Sequence, residues 1–488
     1  MRSLEQLNFD NSYARLPPAF YTRLAPTPLA NPYLVSFNED AARLIDLDPR
    51  QAGRPELCAA LAGNWIPPGA DPIAMLYSGH QFGHYVPQLG DGRAILLGEI
   101  VNAAGERWTM HLKGAGQTPY SRTADGRAVL RSTIREYLCS EAMHALGIPT
   151  TRALAVVGAD EPVYRESVET AAVLTRLAPS HVRFGSFEVF YYRRQVDELR
   201  TLADYVIAHH FAELEHAPDK YARFLGEVAQ RTARLIASWQ AVGFAHGVMN
   251  TDNMSVLGLT FDYGPFGFME GFDPGFICNH SDDLGRYSFE RQPDIGLWNL
   301  TCLAQALTPL IPVEECRAAL AQYEPAYVER YAGLMRAKFG FASARDEDRE
   351  LITGALGLLA ADRVDYTLFF RRLADLAADP EHPATALRAM FTDTAALDAW
   401  ARRYRQRLAL DAGADSERRQ RMNRINPKYV LRNYLAQVAI QRAQERDYSE
   451  VERLARLLRR PFDEQPELES YAAPPPDWAR HIEVSCSS

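Results

Sequence analysis

His246-Gly-Val-Met-Asn-Thr-Asp-Asn253, followed nine positions after Asn253 by Asp262-Tyr-Gly264, is the stretch on which the reading of this chain turns. An asparagine amide on one loop and a carboxylate on the next are the residue types that hold a divalent ion among phosphate oxygens. Asn253 and Asp262 supply that pair. Transfer to a hydroxyl also requires a group that takes its proton; Val248 cannot do so, and Asp252 is the nearest carboxylate. Alone, both tripeptides are equally readable as turns, which Asn, Asp and Gly favour for local reasons. The upstream sequence decides.

Arg107-Trp-Thr-Met-His-Leu-Lys113 alternates Trp108, Met110 and Leu112 with Thr109, His111 and Lys113. This period of two predicts a half-buried strand with Lys113 on its polar face. Ala94 to Ile100 predicts a second strand, entered through Gly90-Asp-Gly92-Arg93, a shortened glycine-rich loop whose amides can approach phosphate oxygens. After Lys113 come Gly114-Ala-Gly116 and Asp125-Gly126-Arg127. A helix is expected from about Ala128 to Leu146, with Leu130, Ile134, Leu138 and Ala142 four residues apart and a Gly147-Ile-Pro149 stop. Glu136 projects away from that stripe. The bland alternatives are a solvated face for Glu136 and an edge-blocking strand lysine for Lys113. A long helix from Asp219 to Phe244 leads into the His246 loop.

Glycine loop, strand lysine, helix glutamate, an asparagine loop and then Asp-x-Gly follow the order of the protein-kinase active site. Val248 stands where kinases keep their catalytic aspartate. The chain also resembles the selenoprotein O family. The likeness rests on Tyr77-Ser-Gly-His-Gln-Phe-Gly83, Gln88-Leu-Gly-Asp-Gly-Arg93, Leu112-Lys-Gly-Ala-Gly-Gln-Thr-Pro-Tyr-Ser-Arg122, Asp125-Gly-Arg-Ala-Val-Leu-Arg-Ser132, His246 to Asn253 and Met422-Asn-Arg-Ile-Asn-Pro-Lys-Tyr-Val-Leu-Arg432, with Ser485-Cys-Ser-Ser488 at the tail.

The resemblance implies an α+β, protein-kinase-like bilobal fold that binds ATP reversed relative to kinases and transfers AMP to Ser, Thr or Tyr hydroxyls of protein substrates. In that plan Asp252 is the catalytic base, and Asn253 and Asp262 hold Mg²⁺ or Mn²⁺. Gly90, Gly92, Arg93, Lys113, Asp125, Gly126, Glu136, Arg176, Arg183 and Asp262 serve the nucleotide. Arg176 and Arg183 flank the end of an expected strand, Thr170 to Leu177, and with Arg93 and Lys113 would receive phosphates pointing into the cleft. An inactive ATP-binding scaffold and a conventional phosphotransferase are the alternatives left open. Since some family members carry selenocysteine where Cys486 stands, the resemblance implies a redox role, with redox proteins as partners. Cys278, shortly after Asp262, is the expected bridging thiol.

Composition adds bounds. With 488 residues, 47% of them hydrophobic, the chain can bury a large core, and its net charge of −9 argues against general binding to nucleic acid or anionic membrane. No window approaches the roughly 18 apolar residues of a membrane span. Met1 to Asn8 carries acid and lacks an apolar signal core, so the cytoplasm and a monomer are expected. The six cysteines, at 58, 139, 278, 302, 316 and 486, show no C-x-x-C spacing. The basic run Arg418, Arg419, Arg421, Arg424, Lys428 and Arg432 lies among acids and reads as a solvated or internally paired helix. Three segments are expected: 1–178, an extension and sheet lobe with the Glu136 helix; 179–400, a mainly helical lobe; and 401–488, further helices and a mobile proline-rich tail.

Overall fold

The computed structural model describes residues 1–379 and 385–484. Its strands, in chain order, are β1 (Tyr21–Arg23), β2 (Tyr33–Phe37), β3 (Ile73–Met75), β4 (Gly79–Gln81), β5 (His84–Val86), β6 (Ala94–Val101), β7 (Arg107–Lys113), β8 (Ala128–Val129), β9 (Arg152–Tyr164) and β10 (Val168–Ala178). Eight of these form one antiparallel sheet in the order β1-β3-β6-β7-β10-β9-β2, with β8 paired to β10. β4 and β5 make a separate hairpin. Beyond Ala178 the described chain is helical apart from Phe244–Ala245 pairing with Gly267–Phe268. The architecture is mixed: one antiparallel sheet and many helices.

Both faces of the sheet are covered. Ile95, Leu97, Met110, Leu112 and Leu154 pack with Leu4, Ile45, Leu57 and Leu61 of the amino-terminal segment. On the opposite side Val156 and Leu174 meet Ile134 and Leu138 of the Leu130–Ala145 helix. Leu435, Ile440, Leu454 and Leu458, from helices Asn433–Gln444 and Ser449–Leu458, extend that second core. The carboxy-terminal helices therefore brace the Glu136 helix from behind. Arg135 ties them together: its guanidinium lies 4.5 Å over the Phe266 ring and donates to Phe266 O at 3.0 Å and Asn433 Oδ1 at 3.3 Å.

Several local expectations shift. β7 is buried on both sides from Thr109 onward, with His111 fully buried, because its polar side joins an internal network and does not meet water. The Glu136 helix starts at Leu130, since Ala128 and Val129 are claimed by β10 through pairs with Ala172 and Ala171. The long helix runs Lys220–Val242; Phe244 belongs to the two-residue strand that follows. Glu136 is buried, not solvated. The basic run is partly paired, with Arg418 to Asp415 at 3.0 Å, Lys428 to Glu464 at 2.5 Å and Arg432 to Asp365 at 2.9 Å, while Arg421 and Arg424 are exposed. The proline-rich tail is anchored through Val484, whose carbonyl accepts from His280 N–H at 2.8 Å.

One buried cation lies outside these pairs. Lys338 points its ammonium at the Phe370 ring, 4.0 Å from the centroid, and burial lowers its pKa to about 7. Between about pH 7 and 10 the unfolded chain holds a proton that the folded chain has released, so stability rises with pH across that window. Lys338→Met should stabilise the protein by a few kcal/mol at pH 7, and the gain should shrink toward pH 10. Thermal unfolding of both proteins over that range measures it.

Candidate active site

A cleft of about 700 Å³ opens between the sheet and the helical half. The register of the sheet sets its floor: Lys113 sits between Ala94 on β6 and Leu174 on β10, and Arg176 on β10 stands opposite His111 on β7. The other wall is the loop after the Lys220–Val242 helix. Every residue assigned from the sequence to the nucleotide, the metal or proton transfer lines the cleft except Glu136, which lies behind Lys113.

Glu136 is the junction. Its Oε2 accepts from Lys113 Nζ at 2.5 Å and its Oε1 from Arg176 Nη1 at 3.1 Å. Arg176 also donates to Asp262 Oδ1 at 2.5 Å, and its other terminal nitrogen lies 2.8 Å from His111 Nδ1. Asp262 Oδ2 accepts from Arg183 Nη1 at 2.6 Å, and the same nitrogen donates to Asp252 O at 2.5 Å. The Arg183 guanidinium is clasped between Tyr77 and Phe261, 4.3 and 4.6 Å from the ring centroids. Lys113, Arg176 and Arg183 are thus each held by a carboxylate of the helix or of the Asp262 loop.

Burial and charge oppose one another at each group. Burial would raise the Asp262 carboxyl, but Arg183, Arg176 and Lys113 hold it well below the usual range. Burial lowers Lys113 and Arg93, with Glu136 opposing. Asp252 is different: burial pushes it up to about 7, against the pull of Arg183 and of a hydrogen bond from Gln81. Its Oδ1 is buried and without a partner among the described residues. Asp262 also has a positive φ of 59°, an unfavourable backbone state for a non-glycine residue that Asp tolerates better than most.

Asn253 Nδ2 donates to Val248 O at 3.0 Å, which commits the amide nitrogen to the loop and leaves its oxygen as the group for a cation. Val248 thus serves through its backbone. Asn253 and the Asp262 carboxylate together make an all-oxygen donor set of the kind hard divalent ions take with phosphate and water oxygens. Among the described residues no group of three or more His, Cys, Asp or Glu forms an ion cage. The glycines of the Gly90 loop have a steric reason: a Cβ on Gly90 would fall 2.6 Å from the Tyr120 ring, and one on Gly92 would fall 2.9 Å from Tyr120 O. Asp125 is ion-paired to Arg165 at 2.7 Å.

The sequence reading gave no role to Arg165, to Tyr77 and Gln81, or to the buried pair in which Asp91 Oδ2 lies 3.2 Å from His111 Nε2. Tyr77 to Gly83 enters the sequence reading as a block of the family resemblance within the amino-terminal extension, with no role for its side chains. Its signal was Phe-Gly at a hairpin tip. Cys278 is buried beside Ala245, 3.5 Å from its carbonyl, and Cys486 lies outside the described residues.

A cleft lined by cations, with one buried acid whose proton affinity is raised, has the chemistry to receive a polyanion. The sequence profile of the family described as "Protein adenylyltransferase SelO" matches residues 3–459. The chain is 63% identical to a "Protein nucleotidyltransferase YdiU" of Thiobacillus denitrificans and 59% identical to proteins of the same description from Myxococcus xanthus and Thioalkalivibrio sulfidiphilus, with the whole of each chain covered. The chain belongs to the protein adenylyltransferase SelO family, a family of nucleotidyltransferase enzymes.

Glu136→Ala should leave Lys113 as a buried charge without its carboxylate, and Arg176 with Asp262 alone, and destabilise the protein by about 3–5 kcal/mol. Denaturant unfolding reads this directly.

Proposed function

We propose that this enzyme transfers AMP from ATP to Ser, Thr or Tyr hydroxyls of protein substrates, with the nucleotide held in the reverse of the protein-kinase orientation. The observation that carries the reading is the placement of Lys113, Arg176 and Arg183 around Asp262, beside a lone carboxylate, Asp252, with an unsatisfied oxygen. Cations gathered at one end of the cleft suit the β- and γ-phosphates as a departing group. The α-phosphorus then falls near the Asp252 loop.

Asp252 accepts the proton of the substrate hydroxyl as its oxygen bonds to the α-phosphorus, and the bond from that phosphorus to pyrophosphate breaks. Lys113, Arg93, Arg176 and Arg183 carry the charge that develops on pyrophosphate. Asn253 and Asp262 would hold the Mg²⁺ or Mn²⁺ ion, which when bound neutralises phosphate oxygens. Asp125, Gly126, Gly90 and Gly92 shape the nucleotide's wall, and Glu136 orients Lys113 and Arg176. No covalent enzyme intermediate is needed, because such transfer depends on positioning and charge.

The same reading treats the molecule as a kinase-like bilobal fold: an extended sheet lobe over 1–178, a helical lobe over 179–400, and a carboxy-terminal extension over 401–488. The cytoplasm is the proposed compartment; no helix among the described residues is long and apolar enough to cross a membrane. Anchoring of Val484 at His280, two positions from Cys278, supports the reading that Cys486 reaches Cys278 in a reversible bridge open to redox partners.

With ATP labelled at the α position, label should enter protein, and Asp252→Ala and Asp262→Ala should each cut its rate about 10²–10⁴-fold. Label entering from the γ position and not the α position would establish phosphate transfer instead.

A further inference from the structure

The amino-terminal segment meets the Asn250–Asp252 stretch through the β4–β5 hairpin. Its register, Gly79↔Val86, His80↔Tyr85 and Gln81↔His84, leaves Phe82 and Gly83 as a two-residue turn. Their φ angles are 49° and 84°. Such a turn requires left-handed residues, which a glycine adopts freely and a phenylalanine resists. The surrounding structure must hold Phe82 there, and its contacts show how. Phe82 N–H donates to Tyr287 Oη at 2.9 Å and Asn250 Oδ1 at 3.2 Å, while Tyr287 O–H donates to Asn250 Oδ1 at 2.6 Å. His80 N–H donates to Thr251 Oγ1 at 2.7 Å, and the His80 ring lies 2.6 Å from the buried Glu188 carboxylate.

Gly79 completes the contact. A Cβ at this position would come within 3.0 Å of Asp252 Cβ, N and Oδ1, so only glycine lets the hairpin come this close. The side chain delivered by this strained, fastened turn is Gln81, whose Nε2 donates to Asp252 Oδ2 at 3.1 Å. The second oxygen of that carboxylate, Oδ1, is the one without a partner among the described residues.

We infer that Gln81 is a positioning residue for Asp252: by donating to Oδ2, while Oδ1 is packed against Gly79, it fixes the direction in which the carboxylate meets the acceptor hydroxyl. The inference rests on the reading of Asp252 as the proton acceptor. A carboxylate has a broad, two-fold torsional preference and no intrinsic choice between its oxygens. One donor on one oxygen removes that symmetry before substrate arrives, and orientation fixed in advance lowers the barrier without adding to substrate affinity. Strain retained at Phe82 fits a segment held for function.

The test uses the full chain, α-labelled ATP and a bacterial lysate as the mixture of acceptor proteins, and reads the initial rate at saturating ATP together with the KM for ATP. Gln81→Leu should lower the rate about 10- to 100-fold and leave KM within about twofold. Gln81→Met, close in shape to glutamine and lacking the donor, should do the same and serves should the leucine variant fail to fold. In an Asp252→Asn background the same substitutions should lower the rate no further, because the two residues act as a unit. A rate within about twofold of the unsubstituted protein, a loss confined to KM, or a full additional loss on top of Asp252→Asn would overturn the inference. If Asp252→Asn keeps the unsubstituted rate, the base reading fails and takes the inference with it; if Asp252→Asn is slow while Gln81→Met is normal, only the inference fails.

Discussion

The carboxylate of Glu136 is the constraint on which the rest of the molecule depends. It accepts from Lys113 on one oxygen and Arg176 on the other, and Arg176 passes the connection to Asp262. Lys113, Glu136 and Arg176 are buried and Asp262 is largely so, and a charge taken out of water and left alone loses several kcal/mol of hydration. The arrangement is tolerable only because the charges alternate along a single line of contacts. Helix, sheet and loop are therefore tied by the same few atoms, and none can shift without exposing a charge to an apolar surround.

That requirement explains why the sheet carries cover on both faces. An isolated Leu130–Ala145 helix resting on one face would leave its outer side wet and the Lys113 pair half solvated. The carboxy-terminal helices remove that water. Arg135, one residue before Glu136, faces outward from the cleft and is satisfied by Phe266 O and Asn433. Consecutive residues on the helix thus serve opposite purposes: Arg135 fastens it to the far end of the chain, and Glu136 fastens it to the cleft.

Much of this was legible from the sequence because it is local. A period of two gave β7 with its observed bounds, four-residue spacing gave the Glu136 helix to within two residues, and the linear order of charged residues pointed to one cleft. What the sequence left unread depends on contacts between distant segments. The alternation in β7 suggested a wet polar face, yet Thr109 and His111 look onto His181 and Arg176, more than sixty residues further along. The pairing of Gln81 with Asp252 spans 171 positions, and no periodicity carries such information. The state of the cations is a similar case. Residue types announce a phosphate pocket, but only the fold shows that Asp262 is held by both Arg176 and Arg183.

This last arrangement bears on why the loop can carry valine at position 248. With Asp262 claimed from one side by two arginines, a second ionised carboxylate at Val248 would face the same patch and compete for the same cations. Asp252 forms no ion pair with those arginines, although Arg183 still pulls on its carboxyl. Its backbone oxygen, not its carboxylate, meets Arg183, and its side chain turns toward Gln81. Burial then keeps its proton affinity high, while Asp262 stays fully ionised among its arginines. Two acids ten residues apart are thereby driven to opposite protonation behaviour by their surroundings, which is the separation that the proposed acid–base step at one and the proposed cation binding at the other require.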